Sequence, residues 1–93
     1  MICGLAENTA KNGMEAPLLR AAQEHGAALR QQPGCIATYV LTEKGSRDVV
    51  ALSVFDSEES FEKAVVATRP VIMKHQLPDL LEGEPRFRIL DVR

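Results

Sequence analysis

Residues 49–55 read Val-Val-Ala-Leu-Ser-Val-Phe, and no other stretch narrows the choice of fold as far. β-Branched and apolar side chains follow one another without the polar alternation of a half-wet strand, so the run is expected to lie inside a sheet, covered on both faces. Asp56 and Ser57 come next, with side-chain oxygens able to accept from the free N–H groups of a helix. Glu58 and Glu59 then stand where the positive end of a helix dipole favours carboxylates. A strand therefore turns into a helix across two residues. Phe61, Ala64, Val65, Val71, Ile72 and Leu77 continue at helical spacing, but Pro70 lacks an N–H and its ring crowds the preceding turn. The helix is expected to break at Thr68-Arg69-Pro70, with Pro70 opening a second short helix.

Upstream, residues 2–8 (Ile-Cys-Gly-Leu-Ala-Glu-Asn) are expected to form the first strand. Its alternation puts Ile2, Gly4, Ala6 and Asn8 on one face and Cys3, Leu5 and Glu7 on the other. Asn12 and Glu15 have the spacing of a capping box, and residues 14–32 have the length and composition of a helix that tolerates Pro17 only in its first turn. Leu18, Ala22, His25 and Leu29 make its apolar stripe, while Arg20, Gln23, Glu24, Arg30 and Gln31 take the wet side. Gly26 weakens the helix centre and suits close packing on a sheet. Pro33-Gly34 ends the helix, and residues 35–41 form the second strand. The polar residues 42–48, with Gly45-Ser46 at their centre, make a hairpin to the third. After turns at Pro78 and residues 82–85, residues 87–92 supply the fourth strand.

The order β-α-β-β-α-β predicts a ferredoxin-like α+β fold, an antiparallel sheet with both helices on one face. Apolar residues of the opposite parity, with Leu5, Ala51 and Phe55 expected among them, then need a second cover. A homodimer packed sheet against sheet supplies it most simply. Ninety-three residues suffice for one domain, residues 1–93, with one core. The chain is 45% hydrophobic and 26% charged, too apolar for a disordered segment, and its net charge of −2 offers no basic field to a nucleic acid. No run approaches the ~20 apolar residues of a membrane span, and no basic-then-apolar leader begins the chain. A soluble, cytoplasmic protein is expected. Cys3 and Cys35 are too few and too far apart for a zinc spacing or a disulfide framework; both are expected to act as small core hydrophobes, and no metal site is expected.

Four features, in their order and spacing, resemble the antibiotic biosynthesis monooxygenase family of the dimeric α+β barrels. They are Pro33-Gly34-Cys35 before strand two, the corner Val54-Phe55-Asp56-Ser57 with Glu59, the broken helix of residues 61–75, and Leu80-Leu81-Glu82-Gly83 with Pro85 before the last strand. The resemblance extends over most of the chain and implies a homodimer whose two sheets form a barrel, with a pocket in each subunit between helices and sheet. The family includes cofactor-free monooxygenases of polycyclic aromatics and quinols, and a branch that binds and degrades haem. Members of both kinds carry a tryptophan in the second helix; the corresponding stretch here reads Ala64-Val65-Val66, and the chain has no Trp.

Asn8 and His75 are the candidate catalytic residues. Asparagine is uncommon in strands, and Ala6-Glu7-Asn8 resembles the family segment whose asparagine points into the pocket, where its amide can donate to bound oxygen or a developing oxyanion. Alternatively the strand ends at Glu7 and Asn8 opens a turn. His75 stands where the resemblance places the proximal haem ligand of the haem-degrading branch; in a cofactor-free enzyme it would serve as acid or base. Lys74-His75 near a helix end also suits compensation of the helix dipole. His25 on the apolar stripe either lines the pocket or bonds a backbone carbonyl. Tyr39 either donates to a substrate or reaches solvent at the dimer interface. Phe61 and Ile72 complete the expected substrate-binding set. The expected function is a cofactor-independent monooxygenase of a small phenolic, quinol or polycyclic aromatic substrate, whose electron-rich anion reduces oxygen without a cofactor. Two alternatives stand beside it: a haem-binding or haem-degrading monooxygenase with His75 as axial ligand, and a non-catalytic dimeric module that binds a small molecule.

Overall fold

In the computed structural model, which describes residues 1–93, the elements run β1 (Ile2–Thr9), α1 (Glu15–Arg30), β2 (Cys35–Thr42), β3 (Asp48–Phe55), α2 (Glu58–Lys74), α3 (Leu77–Leu80) and β4 (Arg86–Asp91). The strands form one antiparallel sheet in the order β2-β3-β1-β4, so the apolar run of β3 is interior as its composition requires. This is the ferredoxin-like arrangement. α1 lies on β2 and β3, whereas α2 packs chiefly on α1 and only lightly on β3. No helix is long and apolar enough to cross a membrane.

Register decides which side chains the helices cover. Ile2 stands opposite Phe55, Gly4 opposite Ser53, Ala6 opposite Ala51 and Asn8 opposite Val49, and directly opposed residues share a face. Ile2, Val49 and Phe55 are buried, so this is the helix-facing side. Ala51 and Phe55 therefore belong to the core side, not to the open face where they were expected beside Leu5. The partner of Leu5 is Leu52, and the open face carries Cys3, Leu5, Tyr39, Leu41, Val50, Leu52 and Val54. Two apolar clusters fill the core. Ile2, Leu29, Phe55 and Ala64 pack at one end; Ala10, Leu18, Val49 and Leu81 pack at the other. Fully burying a Phe or Leu side chain contributes about 1.5–3 kcal/mol, and Phe55 and Leu18 are the largest that are fully buried. The Phe61 ring meets Phe55 edge-on at 5.6 Å and lies over Gly4, where a Cβ would come within 2.5 Å of it. A side chain at Gly4 would displace that ring.

Two pieces of the family pattern meet in space. Gly34 has φ +86°, and its carbonyl accepts from the Asp56 N–H at 2.9 Å; a Cβ there would stand 2.6 Å from Asp56 Oδ1 and 2.7 Å from Ser60 Oγ. The Pro33-Gly34 turn is thus locked against the corner between β3 and α2. At that corner Ser57 caps α2 as its side chain suggested, accepting from the Ser60 N–H at 3.1 Å.

Several local expectations are corrected. α2 continues through Pro70 for 17 residues instead of breaking. The bond that Pro70 cannot make would have gone to the Val66 carbonyl, and Val66 is 61% exposed, so water can serve that carbonyl instead. α1 begins at Glu15 after Met14, which makes no side-chain cap; Asn12 lies in the preceding turn, and Glu15 accepts from the Gly13 N–H at 3.3 Å. Gly26 is not forced by packing, since a Cβ there would sit 3.7 Å from Thr38 Oγ1, an ordinary contact. Cys35 packs at the edge of the Phe55 cluster, but Cys3 lies on the open face; both are free and half-buried, and burial pushes both thiols up.

Candidate functional site

On the helix-facing side, β1 presents Gly4, Ala6 and Asn8, and the β4 residues opposite Gly4 and Ala6 are Ile89 and Phe87. Phe87 is 72% exposed and Ile89 49%, although they point to the side on which the helices lie. The cause is the placement of α2, which packs chiefly on α1 and reaches β1 through Ala64 against Ile2 and Phe61 over Gly4, leaving the apolar β4 edge exposed. The exposed strip beside Phe61, with Ala6 and Asn8 on β1 and Phe87 and Ile89 on β4, is the candidate groove.

Asn8 lies within β1, paired with Val49, and does not open a turn. Its amide Nδ2 donates to the Val49 carbonyl at 3.4 Å, leaving a second N–H and the amide oxygen uncommitted. Ile72 is half-buried in the last turn of α2, and its carbonyl accepts from the His75 N–H. Tyr39 is 57% exposed on the open face, opposite Leu52, so the sheet separates it from the other five candidate residues.

Both histidines are held at the α1–α2 interface. His25 Nε2 lies 2.9 Å from Thr68 Oγ1, whose hydroxyl donates to the Ala64 carbonyl at 2.8 Å. The hydroxyl has one hydrogen and directs it to Ala64, so Nε2 carries the proton given to Oγ1. The partner is a side-chain hydroxyl, not the backbone carbonyl expected. Burial pushes the imidazole below its ordinary value, which keeps it neutral. His75 caps α2, and its Nε2 lies 2.7 Å from Glu24 Oε2, while Glu24 Oε1 bonds the Lys74 ammonium. The Lys74 and His75 bonds together hold the Glu24 carboxyl below its usual range. Neither imidazole makes a second side-chain bond, and no buried side-chain nitrogen lacks a partner, so both Nδ1 atoms reach solvent.

Sequence reasoning missed two of these residues. Glu24 was assigned to the wet side of α1 and Thr68 to a helix break; each acquires its role from a partner 51 or 43 positions away. No local pattern marks such a pair. On the open face, a hollow of about 410 Å³ is lined by Glu7, Thr9, Glu43, Asp48, Glu84 and Arg86 with Leu41, Thr42 and Val50; it contains none of the candidate residues. No group of three His, Cys, Asp or Glu side chains is arranged to hold a metal ion.

Comparison with known proteins accords with this architecture. Rv0793 from Mycobacterium tuberculosis superposes with a TM-score of 0.85 at 12% identity, over 99% of this chain and 94% of that one. SnoaB from Streptomyces nogalater, a cofactor-independent oxygenase, gives 0.79 at 18% identity over 99% and 92%. SO0527 from Shewanella oneidensis gives 0.76 at 22% identity over 97% and 92%. At such identities the likeness is one of fold. No functionally curated protein matches the chain. The sequence model of antibiotic biosynthesis monooxygenases matches residues 1–66, from β1 into α2 and well over half of the chain. The chain belongs to the antibiotic biosynthesis monooxygenase family.

Proposed function

We propose that this protein is a cofactor-independent monooxygenase of a small phenolic or quinol substrate, bound in the groove over β1 and β4. Family membership supports the class, and the fold shared with SnoaB supports chemistry without a cofactor. The observation that carries the reading is His75, an imidazole anchored through Nε2 with Nδ1 unbonded and open to solvent. Phenols and quinols must lose a proton before they are electron-rich enough to reduce oxygen, and Nδ1 is the base for that step. The substrate anion passes an electron to O2, the two radicals join through a new C–O bond, and His75 returns the proton to the peroxide. Loss of water then leaves one oxygen atom in the product and the other in water. The free N–H of Asn8 orients oxygen or the oxyanion. His25, Phe61 and Ile72 border the substrate. Oxygen uptake with a panel of dihydroxynaphthalenes and benzoquinols tests the reading. Turnover that falls on the order of 10²–10⁴-fold in His75→Ala supports it; no uptake by the wild type with any member sinks it and favours the non-catalytic binding module.

The same anchored imidazole favours a second reading, haem binding. His75 would hold the haem iron through its uncommitted nitrogen, with Glu24 on the other as a carboxylate commonly is in such sites, and haem would supply iron-based oxygen chemistry. A haemin titration separates the two. Saturation at one haem per subunit that is lost in His75→Ala favours haem; absent or His75-independent binding excludes it.

The assembly that goes with either reading is a homodimer packed through the open sheet face. Tyr39 at 57% exposure and Leu41 at 49% lie there beside Leu5 and Leu52, a surface too apolar to be left wet. Tyr39 then belongs to the interface and not to the groove.

A further inference from the structure

We infer that Glu24 is the positioning residue for His75, fixing the imidazole as the Nε2–H tautomer so that the lone pair available for proton abstraction is on Nδ1; this rests on the oxygenase reading above. Both oxygens of Glu24 are engaged, Oε1 with the Lys74 ammonium and Oε2 with His75 Nε2 at 2.7 Å. An ionised carboxylate only accepts, and the Lys74 bond keeps Glu24 ionised. The nitrogen facing it must therefore carry hydrogen, and in a neutral imidazole the other nitrogen then holds the lone pair. Lys74 has a second part in this arrangement. It holds Oε1, so the carboxylate cannot rotate away from His75. A carboxylate that holds a histidine in the working tautomer without itself reacting is a recurrent device in nucleophilic and acid–base sites. Here it arises between two helices, α1 giving the carboxylate and the end of α2 giving both the imidazole and the ammonium.

The consequence is specific to the atoms involved. In Glu24→Gln a single amide oxygen remains. Lys74 can use only that oxygen, so the amide NH2 turns to His75 and demands a lone pair on Nε2, which moves the imidazole proton to Nδ1. Adding Lys74→Met frees the amide oxygen to accept from Nε2–H again. The chain has only two histidines, so ¹⁵N-labelled imidazole spectra in mildly alkaline buffer, assigned with His25→Gln, read the tautomer of His75 directly. The expected series is Nε2–H in the wild type, Nδ1–H in Glu24→Gln, and Nε2–H again in the double variant Glu24→Gln/Lys74→Met. In oxygen uptake, kcat falls on the order of 10²–10⁴-fold in Glu24→Gln and recovers with the tautomer in the double variant. Glu24 is half-exposed, so folding should survive these changes, and circular dichroism checks that it does. An Nε2–H tautomer retained in Glu24→Gln, or a tautomer that switches with no loss of kcat, overturns the proposal. A wild type that takes up no oxygen overturns the functional reading instead, and the three spectra still judge Glu24 by themselves.

Discussion

His25 and His75 sit on the same helix interface, and the difference between them is what each neighbour can do with a proton. Burial holds the His25 imidazole below its ordinary 6.5. As pH falls through 6.5, the unfolded chain takes up a proton that the folded chain refuses, so stability declines until the lowered folded value is passed. Scanning calorimetry should show Tm falling as pH drops through 6.5, and His25→Gln should flatten that slope. Glu24 acts in a separate window: its lowered carboxyl contributes stability above its ordinary 4.5 that is lost as pH falls through the folded value. His25→Gln leaves that acidic limb in place. The Gly4 position tests packing without ionisation. A valine there would drive its Cβ to 2.5 Å from the Phe61 ring and unseat the edge-on contact with Phe55, and Gly4→Val should lower stability by about 1–3 kcal/mol in urea titrations. That requirement was not visible in the sequence, where Gly4 is marked only as sharing a strand face with Ile2, Ala6 and Asn8.

At the scale of elements, side-chain chemistry that acts within a few residues was readable and chemistry that competes with packing was not. Ser57 caps α2 by accepting from the Ser60 N–H while its own hydroxyl donates to Ser60 Oγ at 3.1 Å, so both bonds close within three residues. Pro70 does not end α2, because its cost is finite and the freed carbonyl is on the wet side, while the turn beyond it is held by the Glu24 bonds to Lys74 and His75. Pro70→Ala should restore one helical hydrogen bond and raise stability by about 1–3 kcal/mol, read from the urea midpoint at constant m. The true end of α2 comes at Gln76, which has φ 51° and sits in the left-handed region immediately after the cap His75. A side chain with a Cβ is strained there, so Gln76→Gly should stabilise the protein by about 1 kcal/mol in the same assay. The α1 start was misread for a related reason: Asn12 has the spacing of a cap, but Glu15 turns to the Gly13 N–H and Met14 takes the cap position without a side-chain bond.

For the whole molecule, the sheet has one face under helices and one without cover, and the proposed dimer is the test of what the uncovered face is for. Leu41 is 49% exposed, so Leu41→Arg should leave the subunit folded while placing a charge in the middle of the packed sheets. Sedimentation should find a dimer for the wild type and a monomer for Leu41→Arg; a wild-type monomer at micromolar concentration would remove the interface. The sequence by itself determined the element order, the antiparallel ferredoxin-like sheet, the Pro33-Gly34 turn and the capped corner at Ser57, because periodicity, β-branching and turn chemistry act over a few residues. Tertiary structure alone decided the phase of β3, which put Phe55 in the core and Leu52 outside. It also decided the lean of α2 on α1 that leaves Phe87 and Ile89 of β4 exposed, and the meeting of Glu24 with His75. Those outcomes depend on how separate elements dock, and a side chain's partner 51 residues away leaves no mark on the residues beside it.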